Sequence, residues 1–114
     1  MESLKYRRGE VFLAKLNPSK GTEPGKSRPV IIIQNDSLNE VDYPTCVIIP
    51  CSSVEMPETV IRPRIKEDFF KKDTFALLDQ VRSIDVEKRL VKKMGPLSKE
   101  NLDLVSKALK ENIL

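Results

Sequence analysis

Histidine and tryptophan are absent from this chain of 114 residues, and cysteine occurs only twice. The missing histidine excludes the most. It removes the usual side chain for proton transfer near neutral pH and the commonest metal ligand. A Ser-His-Asp or Cys-His constellation cannot be built within this chain, nor can a zinc site that needs imidazole. An enzyme of this composition must work with Arg, Lys, carboxylates, hydroxyls or groups that its substrate brings. Long apolar runs are also missing. Val30–Ile33 and Val47–Ile49 are the longest aliphatic stretches, far too short to cross a bilayer. Met1–Arg8 is charged and lacks the apolar stretch of a signal peptide, so the expected location is cytoplasmic. Cys46 and Cys51 lie five apart in a strand-like run and would face opposite sides of a sheet, which suits packing better than a disulfide.

The length fits one domain spanning residues 1–114. The net charge of +3 is the residue of a marked segregation. Residues 29–61 hold five acids and no Lys or Arg, while the segments on either side each carry a net +4. A basic surface region facing phosphate is one reading of this pattern, and ordinary solvated charge is the other.

Five runs read as strands: Val11–Leu16, Pro29–Asn35, Thr45–Cys51, Thr59–Ile65 and Phe75–Ile84. Pro63 argues for an edge position for the fourth. Toward the C-terminus, Ser98 is a good N-cap, and Leu97 with Leu102 is placed to form a hydrophobic staple. Leu102, Val105, Ala108, Leu109 and Ile113 then make one apolar face at helical spacing. A shorter helical turn is expected after Asp85, through Val86–Leu90. The expected fold is mainly β, a small barrel or strongly twisted sheet closed by a C-terminal helix.

Between the first two strands lies Asn17–Arg28, with two Gly, two Pro and no large apolar side chain. A loop of this length in so small a domain usually carries function or moves. Gly21–Ser27 reads G-x-x-x-G-K-S, one residue short of the phosphate-binding loop G-x-x-x-x-G-K-[ST]. A helix must follow that loop, whereas Arg28-Pro29 and an aliphatic strand follow here, so nucleotide triphosphate binding is rejected.

Several short motifs occur in a fixed order along the chain: Arg8-Gly9-Glu10-Val11, Asn17-Pro18, Gly21, Arg28-Pro29-Val30 and Gln34-Asn35-Asp36. Pro44-Thr45, the Thr45–Ser53 strand with its end, Asp79–Asp85 and the capped last helix continue the series. The combination spans essentially the whole chain and resembles the MazF/PemK family, toxins of bacterial toxin–antitoxin systems. The resemblance implies an SH3-like small barrel of the CcdB/PemK type working as a homodimer. It implies sequence-specific, metal-independent endoribonuclease activity on single-stranded RNA, without a cofactor, leaving a 2′,3′-cyclic phosphate and a 5′-hydroxyl. An acidic cognate antitoxin would cover the RNA site. The family's key arginine falls on Arg28 and its key threonine on Ser52, with Ser53 one place beyond. Serine keeps the hydroxyl but lacks the methyl that fixes the threonine rotamer.

Such chemistry does not need histidine, because RNA carries its own nucleophile. Attack of the 2′-OH on phosphorus needs in-line alignment and stabilisation of the charge growing on the phosphoryl oxygens. Arg28 offers five donors in a planar fork that suits phosphate, and Ser52 can donate one more hydrogen bond. Lys20 and Lys26 are candidates for phosphate contacts that carry no base information. Asn35, Gln80 and Arg82 have groups suited to base edges in a splayed strand, or to structural caps and strand pairing. Phe69-Phe70, beside Lys71-Lys72, is either a contact for RNA, antitoxin or a second subunit, or a core anchor. Two rival readings carry the same fold: a CcdB-like gyrase poison and a non-catalytic RNA-binding module. The gyrase-poisoning branch ends in a tryptophan-containing tail, whereas this chain ends Glu111-Asn112-Ile113-Leu114.

Overall fold

Both faces of one curled sheet are buried, and that arrangement explains most of the apolar pattern. The computed structural model describes residues 5–16 and 27–114. Strands β1 (Glu10–Lys15), β2 (Ser27–Ile32) and β3 (Thr45–Ser52) run antiparallel in sequence order. Their side chains sort by the two-residue period of a strand. Phe12, Ala14, Val30, Ile32, Cys46 and Ile48 enter one core, with Tyr6, Ile84 and Leu90. Val11, Ile31, Ile49 and Cys51 point the other way, into a second core closed by Leu97, Val105 and Leu109. The two cysteines therefore do face opposite sides, both free and buried.

The helix that covers the second core is α3 (Lys99–Asn112), and its start matches the sequence expectation. Ser98 Oγ accepts a hydrogen bond from the Asn101 N–H at 3.2 Å, satisfying one of the donors that a helix start leaves open. Leu97 and Leu102 join the same cluster, as do Val105, Ala108, Leu109 and Ile113. Gly9 lets the helix approach. It has φ +93°, and a Cβ there would lie 2.8 Å from Leu102 Cδ2. The expected turn after Asp85 is α2 (Val86–Arg89), with the Asp85 carboxylate accepting from the Lys88 N–H. A further one-turn helix, α1 (Asp36–Asn39), was not anticipated; Asn35 caps it by accepting from the Ser37 N–H.

The expected strand Phe75–Ile84 is in fact two strands. β5 (Thr74–Ala76) and β6 (Arg82–Asp85) both pair with β3, on the side away from β2. Ser52 lies opposite Phe75 and Ile48 opposite Arg82, so the partner segment carries three residues more than β3 over this interval. The 3-10 turn Leu78–Gln80 takes up the excess. Leu77 and Leu78 are both buried, which a continuous alternating strand does not allow on a single face. Thr59–Ile65 is corrected as well. Thr59 and Arg62 form a tight isolated bridge, and only Arg64–Ile65 pairs as a strand, β4, against β5. The edge position expected from Pro63 holds, since β4 ends the strand order.

One strand went unrecognised in the sequence. β7 (Leu90–Pro96) lies at the opposite edge, paired with β1 through two register shifts. Its run Leu-Val-Lys-Lys-Met-Gly-Pro shows no clean alternation. Bulges at an edge strand re-aim side chains and dissolve the period-2 signal. Lys93 crosses to β1, forming an ion pair with Glu10 at 2.8 Å and lying 5.8 Å from the Phe12 ring centroid. Among the described residues no helix is long and apolar enough to cross a membrane.

Candidate functional site

The pairing of β2 with β3 sets Val30 opposite Pro50 and Ile32 opposite Ile48. The pairs end at Val30 and Pro50; Arg28 lies two residues beyond on β2, where it pairs with Ala14 of β1, and Ser52 two residues beyond on β3, where it pairs with Phe75 of β5. Two residues 24 positions apart in the chain, each held by a strand, thus come to the lining of one cleft.

Ser52 is the last residue of β3 and only 8 % exposed. Its Oγ accepts from the Val54 N–H at 3.1 Å, which uses a lone pair and leaves the hydroxyl proton available to donate.

Arg28, Ser52 and Ser53 line one cleft of about 470 Å³, together with Ser27, Pro29, Cys51 and Val54. Phe69–Lys72, Thr74 and Met94 complete the lining. Among the described residues three cationic side chains, Arg28, Lys71 and Lys72, reach this lining and no carboxylate does, and none of the three makes an ion pair. The described lining thus combines positive charge with hydroxyls and with the aromatic rings of Phe69 and Phe70. Cys51, though part of the lining, is no nucleophile: complete burial pushes its thiol up to about 12. Among the described residues no three of Cys, Asp and Glu gather as a metal-binding group would.

The remaining sequence candidates are not in this lining. Lys20 and Lys26 lie outside the described residues. Asn35 caps α1 beyond the far end of β2, seven residues and roughly 20 Å of strand from Arg28. Its neighbours form a polar bracket. Gln34 Nε2 donates to Asn39 Oδ1 at 3.0 Å, Gln34 Oε1 accepts from the Val47 N–H, and Asn39 Nδ2 donates to Asp36 Oδ1. Gln80 is exposed in the 3-10 turn, and Arg82 is exposed on β6, opposite Ile48. Arg82 stands four residues along β3 from Ser52, roughly 13 Å away. The fork Arg62 Nε and Nη2 to Asp79 Oδ1 and Oδ2, at 3.1 and 2.9 Å, ties the 53–62 segment to this turn.

Sequence reasoning missed Ser27, Thr74 and Met94 as part of the cleft. Thr74 sits in a charged run with no motif of its own, and only the pairing of β5 with β3 brings it there.

Comparison with known proteins adds an independent line. The model of the "PemK-like, MazF-like toxin of type II toxin-antitoxin system" family matches residues 7–113. An endoribonuclease MazF of Staphylococcus epidermidis is 37 % identical over 105 residues, covering 90 % of this chain and 87 % of that protein. A MazE–MazF crystal structure from Deinococcus radiodurans superposes with a TM-score of 0.77 at 17 % identity, covering 95 % of each chain. A mycobacterial endoribonuclease in complex with its cognate antitoxin gives a TM-score of 0.75 at 13 % identity, covering 93 % of this chain and 92 % of that one. These two structural likenesses establish the half-barrel with its C-terminal helix, and the matches in sequence establish descent: the chain belongs to the PemK/MazF-like toxins of type II toxin–antitoxin systems.

Proposed function

We propose that this chain is an endoribonuclease of the MazF type that cuts single-stranded RNA at a short base sequence, without a metal ion. The observation that carries the reading is the gathering of Arg28 from β2 and Ser52 from β3 in one cleft whose lining, among the described residues, has three cations and no carboxylate. The guanidinium of Arg28 holds the scissile phosphate, and the Ser52 hydroxyl donates to a non-bridging oxygen. In-line attack by O2′ forms the P–O2′ bond and breaks the P–O5′ bond, leaving a 2′,3′-cyclic phosphate and a 5′-hydroxyl. The nucleophile loses its proton to solvent and O5′ gains one, since no side chain that ordinarily titrates near pH 7 lines the cleft. Alignment and preorganised donors supply the rate. Ser53 contacts the strand beside Ser52. Lys20 and Lys26 serve phosphates, and Asn35, Gln80 and Arg82 lie along the path of flanking nucleotides. The active form is a homodimer, inhibited by an acidic antitoxin that neutralises the same positive cleft.

The test is incubation with mixed-sequence single-stranded RNA in EDTA, followed by analysis of the product ends. Cyclic phosphate ends are expected, and Arg28→Ala should lower cleavage by at least about 10³-fold, the scale of a transition-state arginine. Binding without cleavage would favour the non-catalytic module instead, and gyrase-dependent DNA breaks would favour the gyrase poison.

A further inference from the structure

The segment that brings Phe69–Lys72 to the cleft has no regular structure, yet five hydrogen bonds hold it, three on its backbone and two on the Glu67 carboxylate. Asn101 Nδ2, on the first turn of α3, donates to the Lys66 carbonyl at 2.9 Å and to Glu67 Oε2 at 2.7 Å. The same carboxylate oxygen accepts from the Ser98 N–H at 2.7 Å. Phe70 N–H donates to the Glu67 carbonyl, closing a turn, and Thr74 Oγ1 donates to the Lys72 carbonyl at 3.0 Å. Phe69 seats on bare backbone: a Cβ on Gly95 would stand 2.7 Å from its Cδ2. The Phe69 and Phe70 rings pack against each other with centroids 4.8 Å apart. What this scaffold presents to the cleft is Lys71 and Lys72, both exposed. Two lysines lose much rotamer freedom if they must be ordered by the ligand alone, so a fixed backbone lowers that cost.

We propose that Lys71 and Lys72 hold the two phosphates next to the scissile one, and that Asn101 and Glu67 are positioning residues that set this wall from outside the cleft. The inference rests on reading the cleft as an RNA site. It assigns the strand-holding function to the segment before β5, distinct from the Arg28–Ser52 pair that faces the bond to be cut. Asn101 is a clean probe, because Ser98 caps the helix through the Asn101 backbone N–H, which alanine keeps.

Binding of a fluorescent single-stranded oligoribonucleotide with 2′-O-methyl riboses, which cannot attack phosphorus, is followed by anisotropy across a salt series. Loss of two phosphate contacts in K71A/K72A should reduce the slope of log affinity against log salt by about 1.4. On unmodified RNA the same variant should raise KM and leave kcat unchanged. Asn101→Ala should move both readouts in the same direction, by less, in a chain that still unfolds in one cooperative transition. A wild-type salt slope in K71A/K72A would overturn the assignment of the lysines. A lowered kcat at constant KM in Asn101→Ala would overturn its positioning role. Should the wild-type protein leave unmodified RNA intact while the slope still depends on Lys71 and Lys72, the endoribonuclease reading falls and the strand-holding wall stands.

Discussion

At Ser52 one hydroxyl serves two purposes in the proposed reading: its oxygen accepts the Val54 N–H, and its proton is left for the substrate phosphate. Ser52→Ala removes both and should lower kcat about 100-fold, the scale of losing one donor to a developing oxyanion. Ser52→Thr keeps the oxygen and adds the methyl that narrows χ1, so it should cleave at least as fast as the parent. Loss of activity in the threonine variant would show that the added methyl does not fit beside the substrate. Asp36 sets a second expectation at this scale. The Arg8 N–H, donating at 2.7 Å, holds its carboxyl below the usual range, with help from Asn39 and the nearby Arg7. A depressed folded value means the carboxylate stabilises the fold fully above its ordinary pKa and loses that contribution as pH falls through the lower, folded one. Melting temperatures of the parent should therefore fall more steeply than those of Asp36→Asn between about pH 5 and pH 2. Arg28 and Ser52 were legible through the family resemblance, which already implied that both serve one phosphate. Residue type and spacing alone do not join them, because they lie on two strands with α1 between them.

Among the elements, α2 and α3 announced themselves, whereas the single turn α1 and the edge strands did not. Ser98 and Asp85 each bond a backbone N–H three residues on, a local interaction that the sequence spells out. The central strands were equally plain, since burial on both faces gives the continuous apolar runs Val30–Ile33 and Val47–Ile49. β7 and β4 were hidden or overextended because an edge strand is selected against further pairing and carries Lys, Pro and irregular spacing. The contact of β1 with α3 gives a test here. Gly9 combines φ +93° with a would-be Cβ 2.8 Å from Leu102 Cδ2. Gly9→Ala should cost about 1–3 kcal/mol, read as a lowered urea midpoint at constant slope. An unchanged midpoint would mean that the turn before β1 rearranges freely.

Across the whole molecule, the sheet divides the apolar side chains into two cores, and β3 contributes to both through Cys46 and Cys51. Burial pushes each thiol up to about 12, so neither should react with a thiol reagent in the native state. Both should label together in one unfolding transition, because the strand that carries them joins the cores. Labelling of Cys51 well before Cys46 would show instead that the face under α3 opens on its own. The sequence by itself limited the chemistry open to this chain: with no histidine, imidazole can serve neither as acid or base nor as a metal ligand. It also determined the helix starts and the central strands, whose signals are local hydrogen bonds and uninterrupted burial. Only the tertiary structure decided the site. Arg28 of β2 and Ser52 of β3 come to one cleft, and Lys71 and Lys72 join its lining from the segment that Glu67 ties to α3 and Phe69 seats on Gly95. Such contacts join residues tens of positions apart, and neither residue type nor spacing along a chain encodes which of them will meet.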